Sequence, residues 1–158
     1  MTTEAFDAAF RPSIGVCFNW QRFVRERWKV THRVLTSVPE FAHCFLPWYI
    51  GRNGGEVSFR VDGARPIRFA EIPKVLSQLD ARHQDGIRRY VKAFQVQEDE
   101  AAFPAPVYSL SGSLFIAMDA NHRLSALTLV SKRIKVDVYE VLGPLDADCL
   151  LDLAVVRG

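Results

Sequence analysis

The run Leu114-Phe115-Ile116-Ala117-Met118 passes directly into Asp119-Ala120-Asn121-His122-Arg123, and that into Leu124-Ser125-Ala126-Leu127. A short apolar run rich in large side chains reads as a strand buried on both faces. Leu124, Leu127 and Val130 recur at helical spacing, so Asn121–Val130 reads as a helix with one face turned inward. The polar residues between the two arrive too abruptly to be core, because burying such groups unpaired is strongly unfavourable. A chain with this segment must end a central strand at the start of a helix and gather polar side chains at the junction. Its fold must therefore combine helices with a sheet.

The flanks extend the pattern. Val107–Leu110 reads as a strand, Ser111-Gly112-Ser113 as a turn, and Ile134, Val136 and Val138 alternate with polar neighbours in a further strand. Upstream, Ile67-Arg68-Phe69 predicts a short strand leading into Glu71-Ile72-Pro73. Helices are predicted over Pro73–Arg82 and Asp85–Val96, with Gly86 weakening the start of the second, and Gln97–Ala102 is expected as a loop. Trp20, Phe23, Val24, Trp28, Val34, Leu35 and Val38 recur at three and four, so Asn19–Val38 is predicted as one amphipathic helix. Arg22, Arg25, Lys29 and Arg33 form its outer stripe. Phe41, Phe45, Trp48 and Tyr49 form an aromatic cluster. Asn53-Gly54-Gly55 separates Trp48–Gly51 from Val57–Val61 as a hairpin, closed by Asp62-Gly63. The first ten residues are expected as a loose arm, and Pro144–Val156 as a short helix or edge strand. The fold class is α+β, a small mixed sheet with helices. Residues 1–65 are expected to form an N-terminal extension of helix plus hairpin, and residues 66–158 the main domain.

Apolar residues make up 49% of the 158, enough for a sizeable core, and no apolar run approaches the roughly 18 residues of a membrane span. Met1–Ala9 lacks the basic-then-apolar order of a signal peptide, so a cytoplasmic protein without a membrane partner is expected. Cys17, Cys44 and Cys149 are widely spaced and odd in number, which predicts buried, inert thiols with neither disulfide nor structural metal. Residues 1–135 carry 19 Lys and Arg against 13 Asp and Glu, and residues 136–158 one against five. The excess is mild and scattered, which favours polyanionic partners only weakly.

The junction suggests chemistry. First-turn amides of a helix have no intrahelical acceptors and sit at the positive end of its dipole, where phosphates settle. Arg123 can grip phosphate oxygens with two hydrogen bonds. His122 can donate to phosphate or move a proton near neutral pH. Asp119 can cap the helix, orient His122 or Arg123, or hold Mg²⁺. Asn121 is a turn residue or a ligand contact, and Arg123 has the alternative of pairing with a carboxylate such as Glu71.

Asp119-Ala120-Asn121-His122-Arg123-Leu124-Ser125-Ala126-Leu127 resembles the signature of the ParB/sulfiredoxin superfamily, in which a strand leads into Asp-Gly-x-His-Arg and then a helix of small and apolar residues. Ile67–Pro73 resembles its first strand and Ile-Pro element, Pro104–Val107 its proline-led strand, and Ile134–Val141 the strand after the motif. The resemblance covers about residues 66–142. It implies nucleotide phosphates bound by Asn121, His122 and Arg123, in a site completed by the Glu71 region and the basic helix of Arg88, Arg89 and Lys92. Phosphoryl transfer or nucleotide hydrolysis is the reaction class implied, with Asp119 on Mg²⁺ and His122 or Glu71 as base. Ala120 stands where the family carries glycine. Asn121 stands where sulfiredoxins carry cysteine, which excludes thiol repair chemistry. Two further readings remain open: a non-catalytic DNA-associated module using the Arg22–Arg33 stripe and the Arg88–Lys92 face, and a protein-interaction domain contacting partners through the Phe41–Tyr49 cluster.

Overall fold

Side-chain alternation along the strands decides the architecture, because each face of the sheet carries its own apolar cluster. The computed structural model describes residues 1–156. Its elements are α1 (Thr3–Phe10), α2 (Trp20–Glu26), β1 (Lys29–Leu35), β2 (Phe45–Ile50), β3 (Glu56–Val57), β4 (Arg65–Arg68), α3 (Ile72–Val75) and α4 (Ala81–Val96). They continue with β5 (Ala101–Ser111), β6 (Leu114–Ala117), α5 (Asn121–Leu127), β7 (Ile134–Leu142) and a 3-10 turn over Leu151–Ala154. The strands form one mixed sheet in the order β1-β7-β5-β6-β2-β3, with β4 also paired to β2. β5 runs parallel to β7 and antiparallel to β6, and β6 runs parallel to β2.

Phe115 and Ala117 of β6 face one cluster together with Leu46 and Trp48 of β2, Val136 and Val138 of β7, Ile87 and Phe94 of α4, and Leu124 and Leu127 of α5. Ile116 and Met118 face the other, with Phe45, Tyr49, Phe6 and Phe10 of α1, Phe23 of α2, and Cys149, Leu150 and Leu153 near the C-terminus. Helices cover both faces, which is why β6 reads as a continuous apolar run. The fold is α+β, and the expected strand–turn–helix junction is present. Strands from both sides of residue 65 share the sheet: β1 lies beside β7, and β2 beside β6.

Several local expectations are corrected. The single helix over Asn19–Val38 is instead a helix and a strand. Arg27, in the left-handed region at φ 50°, ends α2 by donating its backbone N–H to the Phe23 and Val24 carbonyls. Lys29–Leu35 then pairs antiparallel, residue by residue, with Leu142–Val136. Cross-strand pairing with a nearly completed sheet outweighs the helical periodicity of that window. The first ten residues are no loose arm. Thr2 caps α1 through the Ala5 amide, and Phe6 and Phe10 are buried.

The helix expected over Pro73–Arg82 shrinks to α3 and a 3-10 turn, and β5 begins inside the expected loop, at Ala101. β5 pairs with β7 from Ala101 but with β6 only from Val107, so Pro104 and Pro106 precede the stretch bonded on both sides. The hairpin is present as β2–β3, although its second strand is only Glu56–Val57. Among the described residues, no helix is long and apolar enough to cross a membrane.

Candidate functional site

β6 ends at Ala117, and the chain turns into α5 through Ala120, which lies in the left-handed region at φ 62° and is buried. An L-residue there costs about 1–2 kcal/mol relative to glycine. Position 120 is thus a left-handed position occupied by alanine rather than glycine. Ala120 is also the N-cap of α5 and supplies no side-chain cap, so Asp119 does not take the capping role open to it. The Asp119 carboxylate instead lies 3.9 Å from the Arg123 guanidinium.

Two cavities meet this turn. The larger, of about 500 Å³, is lined by Asp119, Asn121 and His122 together with Trp48, Arg82 and His83. Its lining also includes Ser13, Cys17, Phe59 and Asp152. The smaller is a polar recess of about 80 Å³ lined by Tyr90, Asp119, Ala120, Asn121, His122 and Arg123. Arg123 stacks over the Phe103 ring at 4.8 Å, which fixes the guanidinium plane. Asn121 Oδ1 is buried with no hydrogen-bond partner among the described residues. An orphaned acceptor of this kind calls for an external donor.

The main feature that sequence reasoning missed is a chain of three side chains behind His122. His122 Nε2 lies 3.0 Å from His83 Nδ1. His83 Nε2 lies 3.2 Å from Glu56 Oε1, and Glu56 Oε2 accepts the Asp80 amide at 2.7 Å. Trp48 stacks on His83 with ring centroids 4.1 Å apart. Burial holds the His122 imidazole below its usual pKa, reinforced by His83 and Arg89 and opposed by Asp119. Burial works against ionisation of Glu56, but the bonds from His83 and the Asp80 amide prevail, and its carboxyl stays below the usual range. α4 comes this close to His122 because residue 86 is glycine: a Cβ there would stand 2.7 Å from His122 Cδ2.

The other predicted site residues separate. Asp119, Asn121, His122 and Arg123 are brought together. Glu71 lines neither cavity. It pairs with Arg65 at 2.7 Å and accepts the Arg68 amide at 2.9 Å, so it holds the β4–α3 turn rather than serving as base or as partner of Arg123. Arg88 and Arg89 are exposed on α4 and line neither cavity, although the charge of Arg89 is felt at His122. Arg82, about two turns nearer the start of α4, is the arginine of that helix that lines the larger cavity.

The basic stripe is broken up between α2 and β1. Arg22 pairs with Glu26 and Asp146, and Arg33 with Glu140. Phe41, Phe45, Trp48 and Tyr49 are all buried, so they form no exposed patch for a protein partner. Cys44 and Cys149 are buried, with thiols pushed up to about 11 by burial, whereas Cys17 is exposed at the cavity wall. Asp152 is buried and accepts the Tyr49 hydroxyl.

Asp119 is the carboxylate of the turn that lines both cavities. Among the described residues, no group of three or more His, Cys, Asp or Glu is arranged around a metal position. No protein-family model, curated protein or solved structure matches the chain.

Proposed function

We propose that the protein is a ParB/sulfiredoxin-like domain that binds a nucleotide or another phosphorylated small molecule at the 119–123 turn. The observation that carries this reading is the sharing of Asp119, Asn121 and His122 between the small recess holding Arg123 and the larger cavity. The recess suits a phosphate group, with Arg123 as its charged anchor. The cavity suits the body of the ligand, between Trp48, Phe59 and Arg82. Phosphoryl transfer or hydrolysis is the reaction class that fits, because such chemistry needs positioning and charge neutralisation more than covalent participation. In this reading Asp119 would hold a Mg²⁺, which would supply neutralisation of phosphate charge, and His122 handles the proton.

Calorimetric titration with ATP, ADP, CTP and GTP, each with and without Mg²⁺, tests the reading. Binding of at least one nucleotide, lost in Arg123→Ala with the fold intact, is the expected result. Equal affinity in the variant removes Arg123 as anchor, and no binding by a folded protein removes the reading.

A further inference from the structure

We infer that Glu56, His83 and His122 form a proton relay, with His122 as the base facing the cavity and Glu56–His83 as the positioning pair behind it. The inference rests on the proposed ligand site and adds residues from β3 and α4 that the strand–turn–helix motif does not contain.

Donor and acceptor accounting leads to the assignment. Glu56 is an acceptor, so His83 Nε2 carries a proton toward it. In neutral His83 the other nitrogen, Nδ1, is then an acceptor, and His122 Nε2 must donate to it. That tautomer leaves the lone pair on His122 Nδ1, and the His122 side chain is part of the cavity lining. A carboxylate that orients one imidazole, which in turn orients a second, fixes the tautomer of the outer ring.

The surroundings favour holding the chain in this state. Glu56 and His83 are both largely buried, and Trp48 fixes the His83 ring by stacking. The charged groups acting on His122 are Arg82 and Arg89 from α4 and Asp119 from the turn after β6, and Arg82 also acts on Glu56. The two arginines oppose a fixed positive charge on His122. Glu56 offers a place for that charge one ring further back.

The proton step follows. A water, or an acceptor hydroxyl in a transfer reaction, attacks the ligand's phosphorus and gives its proton to His122 Nδ1. The Nε2 proton of His122 passes to His83 Nδ1. The positive charge then lies on His83, paired with the Glu56 carboxylate. The bond from phosphorus to the leaving oxygen breaks with its electron pair, and that oxygen takes up a proton from solvent or from the relay as the imidazoles return to neutrality.

Two measurements on the full chain test the relay. Nitrogen-15 NMR of the histidine rings reads tautomer and titration without any ligand. The expected result is an Nε2-protonated neutral His122, whose Nε2 chemical shift moves in Glu56→Gln. The glutamine keeps an acceptor for the Asp80 amide, so the fold is retained, and His83→Gln serves as a second variant. An Nδ1-protonated His122, or a His122 Nε2 chemical shift unmoved in Glu56→Gln, overturns the relay.

The second measurement is phosphate release from ATP, CTP, GTP and p-nitrophenyl phosphate across pH. His122→Gln should lose about 10²–10⁴ in kcat. Glu56→Gln should lose about tenfold or more in kcat, with KM little changed and the acid limb of the profile displaced. Nucleotide binding without turnover at any pH leaves the ligand reading standing and overturns the relay. Absence of binding overturns the ligand reading, while the NMR arm still decides the relay geometry.

Discussion

Gly86→Ala is a substitution for which ordinary helix energetics and the site geometry predict opposite signs. Residue 86 lies inside the 16-residue helix α4, where alanine is ordinarily favoured over glycine by about 1 kcal/mol. Here the new methyl would stand 2.7 Å from His122 Cδ2 and 3.0 Å from both Cγ and Nε2. The ring cannot yield as a surface side chain would, because it is half-buried and held by His83. Overpacking of this kind costs about 1–3 kcal/mol, and losing the His83–His122 bond adds about 1 kcal/mol. Setting the propensity gain against these terms, Gly86→Ala should destabilise by about 1–3 kcal/mol. In a His122→Ala background the obstruction is gone, and the same substitution should stabilise by about 1 kcal/mol. Urea denaturation of the four proteins closes a double-mutant cycle, and a coupling energy of about 2 kcal/mol or more is expected. Stabilisation by Gly86→Ala in both backgrounds would show that His122 does not pack against this helix, and would remove the basis of the relay.

Other substitutions probe the turn and the buried carboxyl. Ala120→Gly relieves a left-handed alanine but loses a buried methyl and raises chain entropy, so stability should stay within about 1 kcal/mol of wild type by thermal denaturation. A loss well beyond that would contradict the left-handed conformation. Asp152→Asn tests the cavity wall through pH. Burial raises the Asp152 carboxyl above its usual pKa, with the Tyr49 hydroxyl bond opposing. An acid with a raised folded-state pKa contributes most below its unfolded value, and the contribution fades as pH rises through the folded value. Asparagine accepts the Tyr49 hydroxyl without ionising. The variant should therefore gain on wild type as pH rises toward about 8 and lose that advantage near about pH 3. A pH-independent difference would refute the assignment.

The junction of β6 and α5 was legible because its signal is local. An apolar run that ends in clustered polar side chains has few ways to fold, and the strand, turn and helix fall where that contrast puts them. The region between Asn19 and Val38 was not legible for an equally definite reason. β1 is an edge strand bonded only to β7, and Val30 and Leu35 are its buried residues, an odd spacing that breaks the two-residue alternation. Trp20, Phe23 and Trp28, which do face the core around α2, supply the helical spacing that the strand borrows. Nothing local marks the change at Arg27, because a left-handed residue that ends a helix is usually glycine or asparagine rather than arginine.

The site divides along the same line. Asp119, Asn121, His122 and Arg123 come from one turn, and their convergence follows from sequence proximity. His83 is 39 residues from His122, and Glu56 comes from a two-residue strand reached through the β2–β3 hairpin. A lone histidine in a polar helix carries no mark of its partner. One trace was present in the sequence: His83 and Gly86 are three apart and so share a face of α4. A glycine at such a position removes helix stability without a local return, which implies close approach by a group from elsewhere in the fold. That group is the His122 ring, and the glycine is what lets α4 bring His83, paired with a carboxylate on β3, up to a histidine in the first turn of α5.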